Sequence, residues 1–399
     1  MADLLKGNAC IGQSGGPTSV INQSLVGVIE AIQNAPVIDR LLGARHGVRG
    51  IVEEKFIDLK TVPFQTLERV AETPAAALGS TRDKPDKAYC EKLFEVFSRN
   101  NIRYFFYIGG NDSADTARII NELATQAKYE LRVFHIPKTI DNDLRVTDHC
   151  PGYGSAAKFV ACALMGDDRD NASLPGVKID VVMGRHAGWL TAASTLGRQD
   201  ESDGPHLVYV PERRISPDRL LADIDAVNKR LGRCVVAVSE GIEDEDGAAW
   251  AQKIALSDER DAHGNIQLSG TGALADYICA LVRDKLKIKR VRGDTFGYLQ
   301  RSFAGFASSV DRMEGRMVGH KAVEYAMSGN CDGSVALRRT GEGDQYASEC
   351  FLASLADVAR QTKDLPEEFI DKNGHDVTEA FRSYALPLTG GLPKMGKLF

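Results

Sequence analysis

Short apolar runs alternate with longer amphipathic stretches along most of this chain. The runs NACIGQSGG (8–16), IRYFFYIGGN (102–111), LRVFHIPKT (131–139), KIDVVMGR (178–185), HLVYVPE (206–212) and RCVVAVSEG (233–241) read as strands that end in turn chemistry. Between them lie segments of helical length and period at 19–33, 113–128, 154–168, 216–231 and 271–286. Ser or Thr opens several of these, as helix N-caps do. Near-continuous apolar strands, each followed by a helix, predict buried parallel sheet with helices on both faces. Such sheets bind ligands beyond the carboxyl ends of their strands, which is where Gly, Asp and Arg gather here. The acid-rich stretch 240–250 and the segment SDERDAHGNIQ (257–267) read as solvated loops. From Thr340 on the chain is more polar, shows no repeated strand signal, and reads as a helical appendage and tail.

Length and composition narrow this picture. With 399 residues, 43% hydrophobic and 26% charged, the chain suits two α/β domains of about 100–200 residues each. Lys and Arg number 49 against 55 Asp and Glu, a net charge of −6. That balance argues against a dedicated nucleic-acid binder, yet leaves room for an anionic small molecule in a cleft lined by a few cations. No stretch reaches the roughly 20 apolar residues of a membrane span. The opening MADLLKGNACIGQSGG has no long apolar run after its Lys, so neither a signal nor a transit peptide is expected. The eight cysteines form no CxxC pair and mostly sit in apolar surroundings, as reduced, buried thiols of a cytoplasmic protein do.

Several short motifs fail on context. Gly12-Gln13-Ser14-Gly15-Gly16 matches the GxSxG elbow of hydrolases, but Pro17 follows and no Asp-then-His pair announces itself downstream. Its glycines fit better as a turn that lets backbone amides approach an anion, with Thr18 or Ser19 opening the next helix. Gly152–Ala157 matches a dinucleotide fingerprint, but no strand precedes it. No P-loop, no protein-kinase HRD and DFG pair, and no zinc spacing occurs.

Three strand ends carry the chemistry. Gly109-Gly110-Asn111-Asp112-Ser113 opens the backbone to a phosphate and sets a carboxylate beside it, which calls for a cation between them. Pro137-Lys138-Thr139-Ile140-Asp141-Asn142-Asp143 joins two carboxylates to a Lys and a Thr, a set suited to phosphoryl transfer. Met183-Gly184-Arg185-His186-Ala187-Gly188 supplies a cation where a helix begins.

Over residues 8 to about 330 these motifs resemble the phosphofructokinase family. SGGPTSVIN (14–22), LGSTR (78–82) and GGNDS (109–113) resemble its three phosphate loops. PKTIDND (137–143) resembles its catalytic loop, MGR (183–185) its sugar-phosphate loop, SEG (239–241) a later strand end, and GYLQRS (297–302) its C-terminal substrate loop. The resemblance implies an α/β fold of two doubly wound, Rossmann-like domains with the active site in the cleft between them. It implies a phosphoryl-donor domain over 1–150 plus about 300–335, a sugar-phosphate domain over 151–299, and an appendage over 336–399.

The resemblance further points to pyrophosphate as donor. ATP-using members carry Gly where Asp112 stands and usually Gly where Lys138 stands. A carboxylate at Asp112 repels the inner phosphate of a nucleotide, and Lys138 adds a point charge for a short, highly charged donor. The implied reaction is reversible, Mg²⁺-dependent transfer from pyrophosphate to the C1 hydroxyl of fructose 6-phosphate. An ATP-dependent member, or a non-catalytic sugar-phosphate-binding subunit, is the alternative.

Under the resemblance Asp141 is the general base, with Lys138 and Arg185 also catalytic. Gly16, Arg82, Asp112, Lys138 and Thr139 surround the donor. Thr139, Asp141, Met183, Gly184, Arg185, Glu240, Arg292, Tyr298 and Arg301 contact the sugar phosphate, and Asp112 and Asp143 order the metal. Arg292 resembles an arginine that reaches a neighbouring subunit, which implies a homodimer or homotetramer. Asn111 stands where many relatives carry Asp. Lys178 is the nearest cation to the place of a second cross-subunit arginine, and Tyr298 stands where ATP-using relatives carry His.

Overall fold

The computed structural model describes residues 4–254, 272–359 and 361–398. The expected loop 257–267 lies outside the described residues. Internal contacts gather the chain into two units, Met1–Tyr153 with Arg301–Lys363, and Gly154–Gln300 with Asp364–Phe399.

In chain order the strands are β1 (Gly7–Gln13), β2 (Ile38–Ala44), β3 (Phe56–Asp58), β4 (Ile102–Gly109), β5 (Arg132–Pro137), β6 (Val177–Val182), β7 (Leu207–Tyr209), β8 (Cys234–Ser239), β9 (Val291–Thr295), β10 (Asp332–Arg339) and β11 (Ser348–Ala353). The first unit holds a seven-stranded sheet in the order β11-β10-β5-β4-β1-β2-β3. Its five inner strands run parallel, and β3 and β11 close the two edges antiparallel. The second unit holds the parallel sheet β7-β8-β6-β9.

Side-chain alternation explains why helices cover both faces of the larger sheet. In β4, Phe106 stacks on Phe134 of β5 and joins the core under the helices Ile21–Gln33 and Ser309–Met327. Its neighbour Phe105 points the other way, onto Phe97 of the helix Lys87–Arg99. Strands buried on both faces are the near-continuous apolar runs of the sequence.

Register decides where the site lies. Tyr107 of β4 pairs with Gly12 of β1 and with His135 of β5, so the three strands end at one level. In the second unit Val182 pairs with Ser239, and Val181 with Thr295. The loops at 183, 240 and 296 therefore emerge together.

Two local expectations differ. Ser216 caps its helix by accepting from the Arg219 amide, but the first helix starts only at Ile21, with no side-chain cap at Val20. There the Thr18 hydroxyl accepts from Val20 N inside the preceding loop. The helix Asn111–Gln126 is capped by Gly110 rather than opened by Ser113. The stretch after Thr340 is not purely helical. Ser348–Ala353 forms β11, paired residue by residue with β10. The physical reason is alternation on an edge strand. Phe351 lies under the Arg338 guanidinium on one face, while Cys350 and Leu352 pack on the core from the other. A half-buried period of two is a weak signal beside the fully apolar central strands.

Candidate active site

The loop after β1 turns at Gly15, whose φ is +73°, a conformation that glycine adopts at no steric cost. Its amides are spoken for at the base of the loop: Ser14 N donates to Ile108 O and Gly15 N to Thr81 O, each at 2.9 Å. The Ser14 hydroxyl donates to Ile108 O and lies 2.5 Å from the Ser113 hydroxyl. This serine is buried and structural, so the hydrolase match comes to nothing. Gly109 is forced by the same contact, because a Cβ there falls 2.0 Å from Ser113 Oγ and 2.3 Å from Ser14 Oγ. Beyond Gly110 the helix Asn111–Gln126 points its N-terminus into the same region, with Asp112 in its first turn.

Lys138 ties the loops together. Its backbone N donates to Gly109 O at 3.0 Å, and its buried ammonium donates to Gly16 O at 2.8 Å. Arg301 also approaches Gly16, with Nη1 3.2 Å from the place of a Gly16 Cβ. Burial lowers the Lys138 pKa to about 8, helped by Arg301, while Asp141 and Asp143 pull it back up. Lys138, Arg301, Gly16, Asp141 and Asp143 thus share one electrostatic site in the first unit.

The acidic loop is folded tightly on itself. Thr139 bridges to Gly152, closing the loop ends. The Thr139 hydroxyl accepts from Asp141 N at 3.0 Å. Asn142 takes a left-handed φ of +55°, which Asn tolerates, and its side chain accepts from Cys150 N at 3.0 Å. Asp141 and Asp143 therefore flank a pinned residue. Burial raises the Asp143 pKa against the opposing pull of its own amide, the Thr139 hydroxyl, Lys138 and Lys363.

Other candidates of this unit lie further out. Asp112 is half exposed and pairs with Lys84 at 3.1 Å. Arg82 is exposed, one residue after the Thr81 carbonyl that anchors Gly15.

In the second unit, Met183-Gly184-Arg185 and Ser239-Glu240-Gly241 pack against each other. Glu240 N donates to Val182 O at 2.9 Å, and the Ser239 hydroxyl donates to Gly184 O. Gly241 is required here, since a Cβ would stand 2.0 Å from the Arg185 carbonyl oxygen. Met183 N is held by the Gln300 side chain at 3.2 Å, two residues after Tyr298. Glu240 is buried and Arg185 half-buried.

Arg292 is not brought to these loops. It pairs with Lys178 at the start of β6, about 13 Å of strand from the loop end at roughly 3.3 Å per residue. Lys178 itself is a filler of acidic space. It sits 3.1 Å from Asp167 and 3.8 Å from Asp180, and pairs with Asp294. Those three aspartates form a carboxylate cluster among the described residues, and no local sequence pattern marks it. Asp311, whose carboxylate accepts from Gly152 N at 2.8 Å, is equally unmarked, while Gln300, Ser239 and Asn142 stand inside the quoted motifs without being singled out. Gln300, Ser239 and Asp311 grip backbone across long sequence separations and Asn142 grips it within its own loop, and neither arrangement leaves a periodic pattern.

All eight cysteines are free, and no helix among the described residues is long and apolar enough to cross a membrane. The chain is 55% identical over 396 residues to a pyrophosphate–fructose 6-phosphate 1-phosphotransferase of Rhodospirillum rubrum, covering 99% of this chain and 97% of that one. It is 38% identical over 410 residues to the enzyme of the same name from Halomonas elongata, covering 98% and 96%. Among solved structures, a pyrophosphate-dependent phosphofructokinase from Marinobacter aquaeolei superposes with a TM-score of 0.85 at 34% identity, covering 98% of this chain and 93% of that one. Residues 8–326 match the family described as Phosphofructokinase, and with likeness of sequence and fold running nearly end to end, the chain belongs to that family.

Proposed function

We infer that this chain reversibly transfers a phosphoryl group from pyrophosphate to the C1 hydroxyl of fructose 6-phosphate, giving fructose 1,6-bisphosphate and phosphate. The observation that carries this reading is the buried Lys138 ammonium between Gly16 and the acidic loop. A desolvated ammonium beside a glycine turn and a helix N-terminus favours a compact, highly charged anion. Asp112, in the first turn of that helix, disfavours a longer polyphosphate chain. The names of the two relatives above support the same donor and acceptor.

Asp141 takes the proton of the C1 hydroxyl as its oxygen attacks the terminal phosphorus of pyrophosphate. The bridging P–O bond breaks and phosphate leaves. Lys138 and Arg301 neutralise the charge in flight, with Gly16, Arg82 and Thr139 about the donor. Positioning and charge neutralisation supply most of the rate in such transfers. Met183, Gly184, Arg185, Glu240, Tyr298 and Arg301 hold the sugar phosphate. The first unit serves the donor, and the second, with Arg301 of the first, serves the sugar phosphate.

Asp112 and Asp143 supply hard carboxylate oxygens, a donor chemistry that fits Mg²⁺, and Asn111 adds an amide carbonyl. The ion when bound offsets phosphate charge. Arg292, remote from the loops of its own unit, serves a neighbouring copy in a homodimer or homotetramer. Eight free thiols support a reducing, cytoplasmic setting.

A donor assay at fixed fructose 6-phosphate and Mg²⁺ tests the reading. Turnover with pyrophosphate, abolished by a chelator and restored by Mg²⁺, is the expected result. Turnover with ATP and none with pyrophosphate overturns it.

A further inference from the structure

Behind the acidic loop lies a buried ionic cluster to which the reaction assigns no part. His149 is buried and bridges two carboxylates, Asp148 through Nδ1 at 2.7 Å and Glu314 through Nε2 at 2.6 Å. Glu314 stands on the helix Ser309–Met327, and its other oxygen accepts from the Tyr346 hydroxyl at 2.5 Å and the Ser348 hydroxyl at 2.6 Å. Tyr346 OH also lies 3.3 Å from His149 Nε2. Arg339 of β10 reaches Asp148 at 3.3 Å and lies over the Tyr346 ring. From another side, the Lys363 ammonium donates to the carbonyls of Thr147 at 3.0 Å and Asp148 at 2.8 Å, while its backbone N donates to Asp143 O at 2.7 Å.

These contacts converge on the two acids at one step's remove. Cys150, next to His149, is the residue whose amide Asn142 grips, and Asn142 lies between Asp141 and Asp143. We propose that His149, clamped between Asp148 and Glu314, is a positioning residue that anchors the 139–152 loop to the long helix and the β10–β11 hairpin, and so fixes where Asp141 and Asp143 stand. The proposal rests on the function inferred above, in which those carboxylates act.

The charge state agrees with the geometry. Burial opposes ionisation of His149, but Glu314 and Asp148 outweigh it and raise its pKa to about 9. The imidazole is then a cation at neutral pH, donating from both nitrogens, which a neutral ring cannot do. A buried ion pair is weak evidence for net stability, because desolvation offsets the attraction. Its better-attested use is to specify one arrangement of the groups that it joins. Removing one partner leaves an uncompensated charge that rearranges the loop. Displacement of a reacting group by about 1 Å costs on the order of 100-fold in rate.

The test uses His149→Gln, Glu314→Gln and the double variant in the full chain. Each single variant is expected to lower kcat by about 10- to 100-fold, with KM for both substrates within about threefold of wild type. The double variant, which removes both charges, is expected to recover about tenfold of that loss. A folded single variant with wild-type kcat overturns the proposal, as does a double variant no better than the worse single one. If the single variants do not fold, Tyr346→Phe, which spares the ion pair, carries the test. A several-fold fall in kcat at constant KM supports the proposal, and an unchanged kcat overturns it. Wild type assayed alongside separates the two readings. Should wild type turn over no pyrophosphate, the function inferred above fails. Amide exchange over 139–152 then decides the anchoring, which faster exchange in His149→Gln supports and unchanged exchange overturns.

Discussion

The Lys138 ammonium donates to the Gly16 carbonyl at 2.8 Å, joining the loop after β5 to the loop after β1 across the intervening β4. A single side chain thus sets the spacing between the glycine turn and the acidic loop. Lys138→Met is expected to lower kcat by about 10²–10³-fold, the usual cost of removing one preorganised donor. With burial holding its pKa at about 8, Lys138 loses its charge as pH rises through that value. The kcat/KM of wild type for pyrophosphate should fall there, and Lys138→Met should lack that limb. A wild-type profile flat from pH 7 to 9 counts against the role.

Asp112 is half exposed beside Lys84, so its replacement disturbs no packing. Asp112→Gly is expected to lower kcat/KM for pyrophosphate and to admit ATP. Steady-state kinetics with each donor checks this. Unchanged values for both reject Asp112 as a determinant of donor choice.

Asp141→Ala removes the group that accepts the hydroxyl proton. A loss of about 10²–10⁴-fold in kcat is expected. Fructose 6-phosphate binding, measured by calorimetry, should persist. A kcat within tenfold of wild type would assign the base elsewhere.

Gly241→Ala places a methyl 2.0 Å from the Arg185 carbonyl oxygen, where backbone must give way. Overpacking of this kind costs about 1–3 kcal/mol. The sugar-phosphate loop is the part that moves, so KM for fructose 6-phosphate should rise about tenfold or more while donor KM holds. A rise in donor KM alone would contradict the division of labour between the two units.

His149 also has a signature in stability. Its folded pKa is raised from 6.5 to about 9, so the folded protein binds the extra proton more tightly than the unfolded chain. The stability it contributes is whole below pH 6.5 and is lost as pH rises through about 9. Wild-type melting temperature should decline across that window, and the decline should be shallower in His149→Gln. Parallel curves for the two proteins would show that His149 does not titrate there.

Much of this protein is legible in its sequence. The strands β1, β4, β5, β6 and β8 are buried nearly throughout because both faces are covered, and burial of that kind writes a largely apolar run. Their ends carry glycines and charges because ligands of parallel sheets lie beyond them, so Gly16, Lys138, Asp141 and Arg185 stand out by position. The edge strand β11 was hidden, since its alternation is spread over six residues of mixed polarity.

What only the tertiary structure decided is who holds whom. No periodicity links Lys138 to Gly16, His149 to Glu314 or Gln300 to Met183, pairs separated by more than a hundred residues. Strand register brings the three loop ends of the first unit level, and only then does a buried ammonium meet a glycine carbonyl. Arg292 shows the same rule in reverse, for its register with Lys178 takes it away from the loops of its own unit. Local composition sets which residues are chemically able; register and burial set which of them meet, and in what charge state.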